Sequence, residues 1–273
     1  MELFDLTGRT AIITGGNGGL GLAMGRGLAK AGANVAIWAR NADKNAAAVE
    51  ELRGLGTGDV LALTCDVAED SAIAGAMEQT LGTFGRVDIC FANAGISGAG
   101  TAIPDITAEG WDHTLAVNTR GAALVYKHVT RHMIERAKDG DMGGKLIATS
   151  SGQSIMGVNR SSDYAASKAA LNGLTRAAAF ELARYGITAN ALLFGFYETD
   201  ITAKADPRFA EWMSRRIPLR RPGDHAGLRA VDRGPVMTAP RRSGWSADEH
   251  ARGGSDRARA GGPDRSGTAR RSG

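Results

Sequence analysis

The chain has 273 residues, 43% hydrophobic and 23% charged, with a formal net charge of +4. That length suits one α/β domain with a sizeable core, and no run approaches a membrane-spanning helix. Cys65, Cys90 and five scattered histidines show no metal-ligand spacing, so no metal is expected and both thiols read as buried in a reduced compartment. Met1-Glu2-Leu3-Phe4-Asp5 is acidic and lacks the basic and apolar regions of a secretory leader, so a cytoplasmic protein that touches no membrane is expected.

Arg9-Thr10-Ala11-Ile12-Ile13-Thr14 is a β-branched, apolar run of the kind buried on both faces of a sheet, and it predicts a strand over 10–14. It leads into Gly15-Gly16-Asn17-Gly18-Gly19-Leu20-Gly21, after which Leu22, Ala23, Leu28 and Ala29 recur at helical intervals and predict a helix over 19–31. Strand, glycine loop and helix together offer backbone N–H groups and a helix N-terminus to a pyrophosphate. The spacing is Gly15-x-x-x-Gly19-x-Gly21 rather than G-x-G-x-x-G. Further along, strands are expected at 34–39, 60–64, 87–92, 145–149 and 188–193. Helices are expected at 42–52, 69–84, 108–138, 164–185 and 207–215. The alternation implies one doubly wound, Rossmann-like parallel sheet with helices on both faces and right-handed crossovers.

Tyr164 and Lys168 stand four residues apart in Asp163-Tyr164-Ala165-Ala166-Ser167-Lys168, so they share one helical face. An ammonium beside a phenol lowers the phenol's pKa from about 10 and makes it a useful proton donor or acceptor. Alone, the pair also fits a solvated Lys beside a half-buried Tyr. Ser150 and Ser151 close the strand at 145–149, so a hydroxyl and the phenol can converge on one atom where open α/β sheets hold ligands. Ser151 by itself also reads as a cap or turn serine, and Asn118, in Ala116-Val117-Asn118-Thr119-Arg120-Gly121, as a polar residue that kinks or hydrates a long helix.

Taken in order, Thr14-Gly15-x-x-x-Gly19-x-Gly21, Asp66-Val67, Asn93-Ala94-Gly95, Asn118, Ser151 and Tyr164-x-x-x-Lys168 resemble the short-chain dehydrogenase/reductase family, from Leu6 to about Arg221. The resemblance implies an NAD(P)-dependent oxidoreductase that interconverts a secondary alcohol and a carbonyl by hydride transfer. In that family's terms Tyr164 transfers the proton, and Lys168 lowers its pKa and binds the nicotinamide ribose. Ser151 bonds the reacting oxygen, and Asn118 holds a water that relays protons. Ser151 is preferred to Ser150 because its thirteen-residue distance to Tyr164 matches the family. The implied cofactor contacts are Thr14, Gly15, Asn17, Gly19, Leu20, Gly21, Arg40, Asp66, Val67, Asn93, Ala94, Gly95, Gly195 and Thr199, with Tyr164 and Lys168. The position that holds a ribose-binding carboxylate in NAD enzymes falls on Ala39, and Arg40 follows it. A guanidinium suits a 2′-phosphate, so NADP is favoured over NAD; the alternative is a solvated loop Arg. The family's variable segment, here 196–222, is assigned to substrate contact, and 152–163 fits sugars, hydroxy or oxo acyl groups, or small secondary alcohols.

Two stretches depart from the pattern. Phe194-Gly195 stands where the family has Pro-Gly, which predicts a looser or reshaped cofactor pocket. The domain is therefore read as 1–222, and 223–273 as a separate tail. That tail holds ten Arg against six Asp/Glu, which equals the chain's +4, and no Lys, Ile, Phe or Tyr. Such a composition predicts disorder. A basic extension, an inert tail and a shifted reading frame in a GC-rich gene are the three readings, the last favoured, and no nucleic-acid partner is expected. An intact frame across the codons for 222–227, with the tail's peptide mass confirmed, would rule out the shift. If the family's last strand is missing, a homodimer through the helices at 108–138 and 164–185 is expected rather than a full tetramer. The alternative function is a non-catalytic nucleotide-binding remnant of the same fold.

Overall fold

The computed structural model describes residues 5–197, Thr199, Thr202 and 207–224. Six strands form one parallel sheet: β1 (Thr10–Thr14), β2 (Asn34–Ala39), β3 (Val60–Thr64), β4 (Ile89–Ala92), β5 (Gly144–Ser151) and β6 (Ile187–Phe194), in the spatial order β3-β2-β1-β4-β5-β6. The chain leaves β1 in one direction and returns beside it as β4, so the strand order reverses between these two neighbours. At such a reversal the loops diverge and open a crevice above the carboxyl ends of the strands.

Period-two alternation divides the strand side chains between two cores. Ile12, Ala36, Trp38, Cys90, Ala92, Leu146 and Ala148 face one core, with residues of α3 (Asp70–Phe84), α5 (Gly121–Lys138) and α6 (Ser162–Leu182). Ala11, Ile13, Val35, Ile37, Ile89, Phe91 and Ile147 face the other, against α1 (Gly19–Lys30) and α2 (Ala42–Leu52). Burial on both faces is why the strand sequences read as unbroken apolar runs.

The helix expected over 108–138 is three pieces: α4 (Ala108–Leu115), a π-turn (Ala116–Arg120) and α5. Apolar periodicity continues across the junction, so the break left no mark in the pattern. At the break, Asn118 is 1% exposed and its amide is committed to Ile96 and Ser167, outside its own helix. A final helix, α7, spans Pro207–Arg216, and Gly223 pairs in parallel with Tyr197. The expectations for the tail fall, beyond Asp224, outside the described residues.

The amino end of the sheet carries a charge cluster. Asp88, 6% exposed, accepts from Arg9 (3.1 Å), Arg86 (2.6 Å), Arg136 (3.0 Å) and the Thr10 backbone N–H (3.0 Å). Burial alone would raise its pKa, but Arg86, the Thr10 N–H and Arg136 outweigh it and hold the carboxyl at about 2. His132 is pushed below its ordinary value, first by burial and then by Arg136, and its Nε2 accepts from the Val87 N–H at 3.2 Å.

Candidate active site

The glycine loop lies at the carboxyl end of β1, over the crevice. Gly15 has φ +64°, and a side chain there would stand 3.1 Å from the Ala94 backbone. At Gly21 a side chain would lie 2.4 Å from the Gly15 carbonyl, so the first turn of α1 can close on the loop only as glycine. Gly18 caps α1 without a side-chain bond, and the first turn contains no acidic residue. The opening N–H groups of α1, at Gly19, Leu20 and Gly21, therefore have no side-chain cap and are left for an anion to bind. These residues fit a dinucleotide pyrophosphate.

Side chains behind the loop lock it to the central strands. The Thr14 hydroxyl accepts from the N–H groups of Asn93 and Ala94, both at 2.9 Å. The Asn93 amide donates to the Thr14 carbonyl at 2.9 Å, and its oxygen accepts from the Thr149 hydroxyl at 3.1 Å. Gly95 runs so close to the next layer that a side chain would meet Asn118 Oδ1 at 3.1 Å and Lys168 Nζ at 3.3 Å.

Ser151, Tyr164 and Lys168 come together where β5 ends and α6 begins. Lys168 is 4% exposed, its Nζ donates to the Thr149 carbonyl at 2.8 Å and lies 5.6 Å from the Tyr164 ring centre. Burial lowers its pKa to about 8. The phenol of Tyr164 is moved upward, not downward: burial dominates, and the Ser151 hydroxyl is what pulls it back. The lowering expected from Lys168 is not found: the phenol is withdrawn from water, and the group that opposes this is Ser151. Ser150 has its hydroxyl spent on the Lys168 carbonyl at 3.1 Å, whereas the Ser151 hydroxyl faces the Tyr164 phenol and also accepts from the Gln153 N–H at 3.2 Å.

Asn118 packs one layer further in. Its oxygen accepts from the Ile96 N–H (2.8 Å), and its amide donates to the Ile96 carbonyl (3.0 Å) and to Ser167 Oγ (3.0 Å). Both amide protons are used by the protein.

The other predicted contacts spread along the crevice. Arg40, at the end of β2, forms a 3.7 Å ion pair with Asp66 after β3, and its side chain is 62% exposed. Val67 is buried behind α5 at Gly121. Asn17 donates to Asn45 Oδ1 at 2.8 Å, tying the glycine loop to α2. Thr199 lies against Gly19, where a side chain would meet its Cγ2 at 3.3 Å. Gly195 follows β6, and Phe194 pairs in register with Ser151 and packs edge-on to Tyr197, ring centres 5.6 Å apart. Thr149 and Ser167 were not singled out in the sequence; a hydroxyl flanking Ser150 and Lys168 was the only signal available.

A doubly wound sheet with a glycine cradle at its reversal, and a serine, tyrosine and lysine beside it, defines a dinucleotide-dependent oxidoreductase. Residues 9–209 match the model of the short chain dehydrogenase family, and the chain belongs to that family. It is 35% identical over 225 residues to the 5-keto-D-gluconate 5-reductase of Escherichia coli (strain K12), covering 82% of this chain and 86% of that one. Among solved structures, an NAD+-bound xylitol dehydrogenase superposes with a TM-score of 0.77 at 28% identity, covering 85% of this chain and 93% of that one. The Pseudomonas aeruginosa RhlG/NADP active-site complex does so with a TM-score of 0.79 at 28% identity, covering 88% and 93%. General NAD(P)-dependent alcohol/carbonyl redox chemistry follows from the family. No described helix is long and apolar enough to cross a membrane.

Proposed function

We propose that this protein interconverts a secondary alcohol and a carbonyl with NADP(H), Tyr164 acting as general acid in reduction and general base in oxidation. The observation that carries the reading is the meeting of Ser151, Tyr164 and Lys168 at the carboxyl end of β5, beside the glycine cradle. When bound, the nicotinamide supplies or accepts the hydride. Ser151 donates a hydrogen bond to the oxygen on which charge develops, and Tyr164 delivers the proton to it. Burial keeps the phenol protonated at neutral pH, the state that reduction needs. Lys168, lowered to about 8, stabilises the phenolate while charged and can pass on a proton at mildly alkaline pH. Oxidation needs the phenolate, so its rate should rise with pH while that of reduction falls.

Arg40 and the absence of a carboxylate at Ala39 support NADP; release of Arg40 from Asp66 would let it meet the 2′-phosphate. Phe180, 84% exposed on α6, supports the expected dimer through that helix. The alternative, a nucleotide-binding remnant, draws on Phe194, which places a ring beside Ser151 instead of a rigid Pro. Fluorescence titration with NADPH and NADH, followed by a carbonyl screen starting from 5-keto-D-gluconate, separates the two. Tighter NADPH with turnover, abolished in Tyr164→Phe, is expected. Binding without turnover of any carbonyl would select the remnant, and tighter NADH would overturn the assignment of Arg40.

A further inference from the structure

The residue directly before Tyr164 is a carboxylate that the chemistry above does not use. Asp163 is 4% exposed, and no cation pairs with it among the described residues. Burying an unpaired charge is costly unless hydrogen bonds replace its water. Here three donors do so. Asp163 Oδ2 accepts from the Ala99 N–H at 2.8 Å and from the Thr114 hydroxyl at 2.9 Å, and Oδ1 accepts from the Tyr164 N–H at 2.8 Å. Its place in the first turn of α6 adds the favourable end of the helix dipole.

These bonds reach three separate parts of the molecule. Ala99 belongs to the loop after β4 that follows Asn93-Ala94-Gly95, Thr114 is the buried residue of α4, and Tyr164 is the proton-transfer residue. The loop has been shaped around the carboxylate. Gly98 has φ +82°, and a side chain there would lie 2.7 Å from both oxygens of Asp163. Capping α6 alone would not require this. A serine at the helix start reaches one N–H without burying a charge, and the N-cap residue, Ser161, makes no side-chain cap bond. Asn118 fixes the same loop at Ile96, and Arg160 donates to the Gly100 carbonyl at 2.9 Å. Among the described residues, Asp163 alone ties the loop directly to the Tyr164 backbone.

We infer that Asp163 is a positioning residue: it clamps the loop at 96–100 and helix α4 to the start of α6, and so sets where the Tyr164 phenol stands over the reacting oxygen. The inference rests on the assignment of proton transfer to Tyr164. Its contacts begin beyond Gly95, so nucleotide affinity should not depend on it, while the proton-transfer step should. A phenol displaced by about 1 Å would cost on the order of 100-fold in rate.

Three measurements test this on the full chain. Hydrogen exchange on the nucleotide-free protein needs no substrate: Asp163→Ala should lose protection at 96–100, in α4 and in the first turn of α6, and keep it in β1 and α1. Unchanged exchange at 96–100 would overturn the clamp. With the best carbonyl from the screen, Asp163→Ala should lower kcat about 100-fold and leave the NADPH Kd within about twofold. Asp163→Asn keeps an acceptor for Ala99 and Thr114 but turns a donor toward the Tyr164 N–H, so its kcat should fall between wild type and Asp163→Ala. If the alanine variant does not fold, a kcat for Asp163→Asn within twofold of wild type overturns the inference, and a tenfold or larger fall at unchanged Kd upholds it.

The decisive readout is a double-mutant cycle. If Asp163 acts through Tyr164, adding Asp163→Asn to Tyr164→Phe should cost nothing further in residual kcat. A merely structural role would cost the same in both backgrounds and would sink the inference. An active Tyr164→Phe would instead defeat the proton-transfer assignment and leave the exchange result to judge the clamp alone.

Discussion

At the amino end of the sheet, Asp88 is buried among Arg9, Arg86 and Arg136; at the carboxyl end, Lys168 is buried as deeply and has no carboxylate partner among the described residues. The first charge is neutralised several times over, and its pKa moves to about 2, further into the charged range. The second has a single carbonyl contact and is moved to about 8, toward losing its charge. A paired charge holds strands together, because removing either partner leaves the other stranded. An unpaired one destabilises the fold, and under the proposed function it acts on the neighbouring Tyr164 phenol. The molecule keeps its paired charge at the foot of the sheet and its unpaired charge at the crevice.

Substitutions at the two ends should therefore fail in opposite ways. The largest effect on rate is expected from Tyr164→Phe, a loss on the order of 1,000-fold in kcat with NADPH binding within about twofold, read by steady-state kinetics and titration. Asp88→Asn should cost roughly 3 kcal/mol in urea unfolding and leave kcat and Kd unchanged in what remains folded. Loss of activity per folded molecule in Asp88→Asn would blur the distinction. Arg40→Ala should weaken NADPH about tenfold and leave NADH unaffected, since only the 2′-phosphate is lost as a partner.

The pH dependence of stability carries the same contrast with a worked sign. Asp88 is lowered on folding, so its contribution is present above the ordinary carboxylate pKa of 3.8 and is lost as pH falls toward about 2. Lys168 is also lowered, from 10.5 to about 8, but for a cation this means the unfolded chain holds the proton more tightly. Its penalty is therefore full below about pH 8 and is relieved as pH rises toward 10.5. Lys168→Met should be more stable than wild type at neutral pH, by a margin that shrinks across that alkaline window. The smallest expected change is in Phe194→Pro, a modest tightening of the NADPH Kd; an unchanged Kd would show that Phe194 does not loosen the pocket.

Most of the fold was legible because a parallel sheet buries its strands on both faces. Thr10–Thr14 and Asn34–Ala39 have the predicted bounds for that reason. The glycine loop was legible too, since Gly15 and Gly21 answer steric demands that no other residue meets. Three things were not. The break at Ala116–Arg120 depends on where Asn118 finds its partners, which lie outside its own helix. The upward shift of Tyr164 depends on burial, which an i, i+4 spacing does not report. Asp88 draws Arg9 and Arg136 from distant points of the chain to join its neighbour Arg86, and each of those two arginines reads locally as a solvated charge. Asp163 stands next to Tyr164, and its sequence position does not report the Ala99 and Thr114 donors that fold onto it.

The π-turn at Ala116–Arg120 can also be seen as one residue too many in an otherwise regular rod. The extra residue resets the helical phase, so α4 can turn Thr114 to Asp163 while α5 faces the sheet with Val125, Val129 and Met133. Deleting a single residue there should restore a continuous α-helix with α5 still seated on its core. The whole of α4 would then turn by about a quarter-turn, carrying Thr114 away from Asp163. The chain length of this one segment thus sets whether Thr114 meets Asp163.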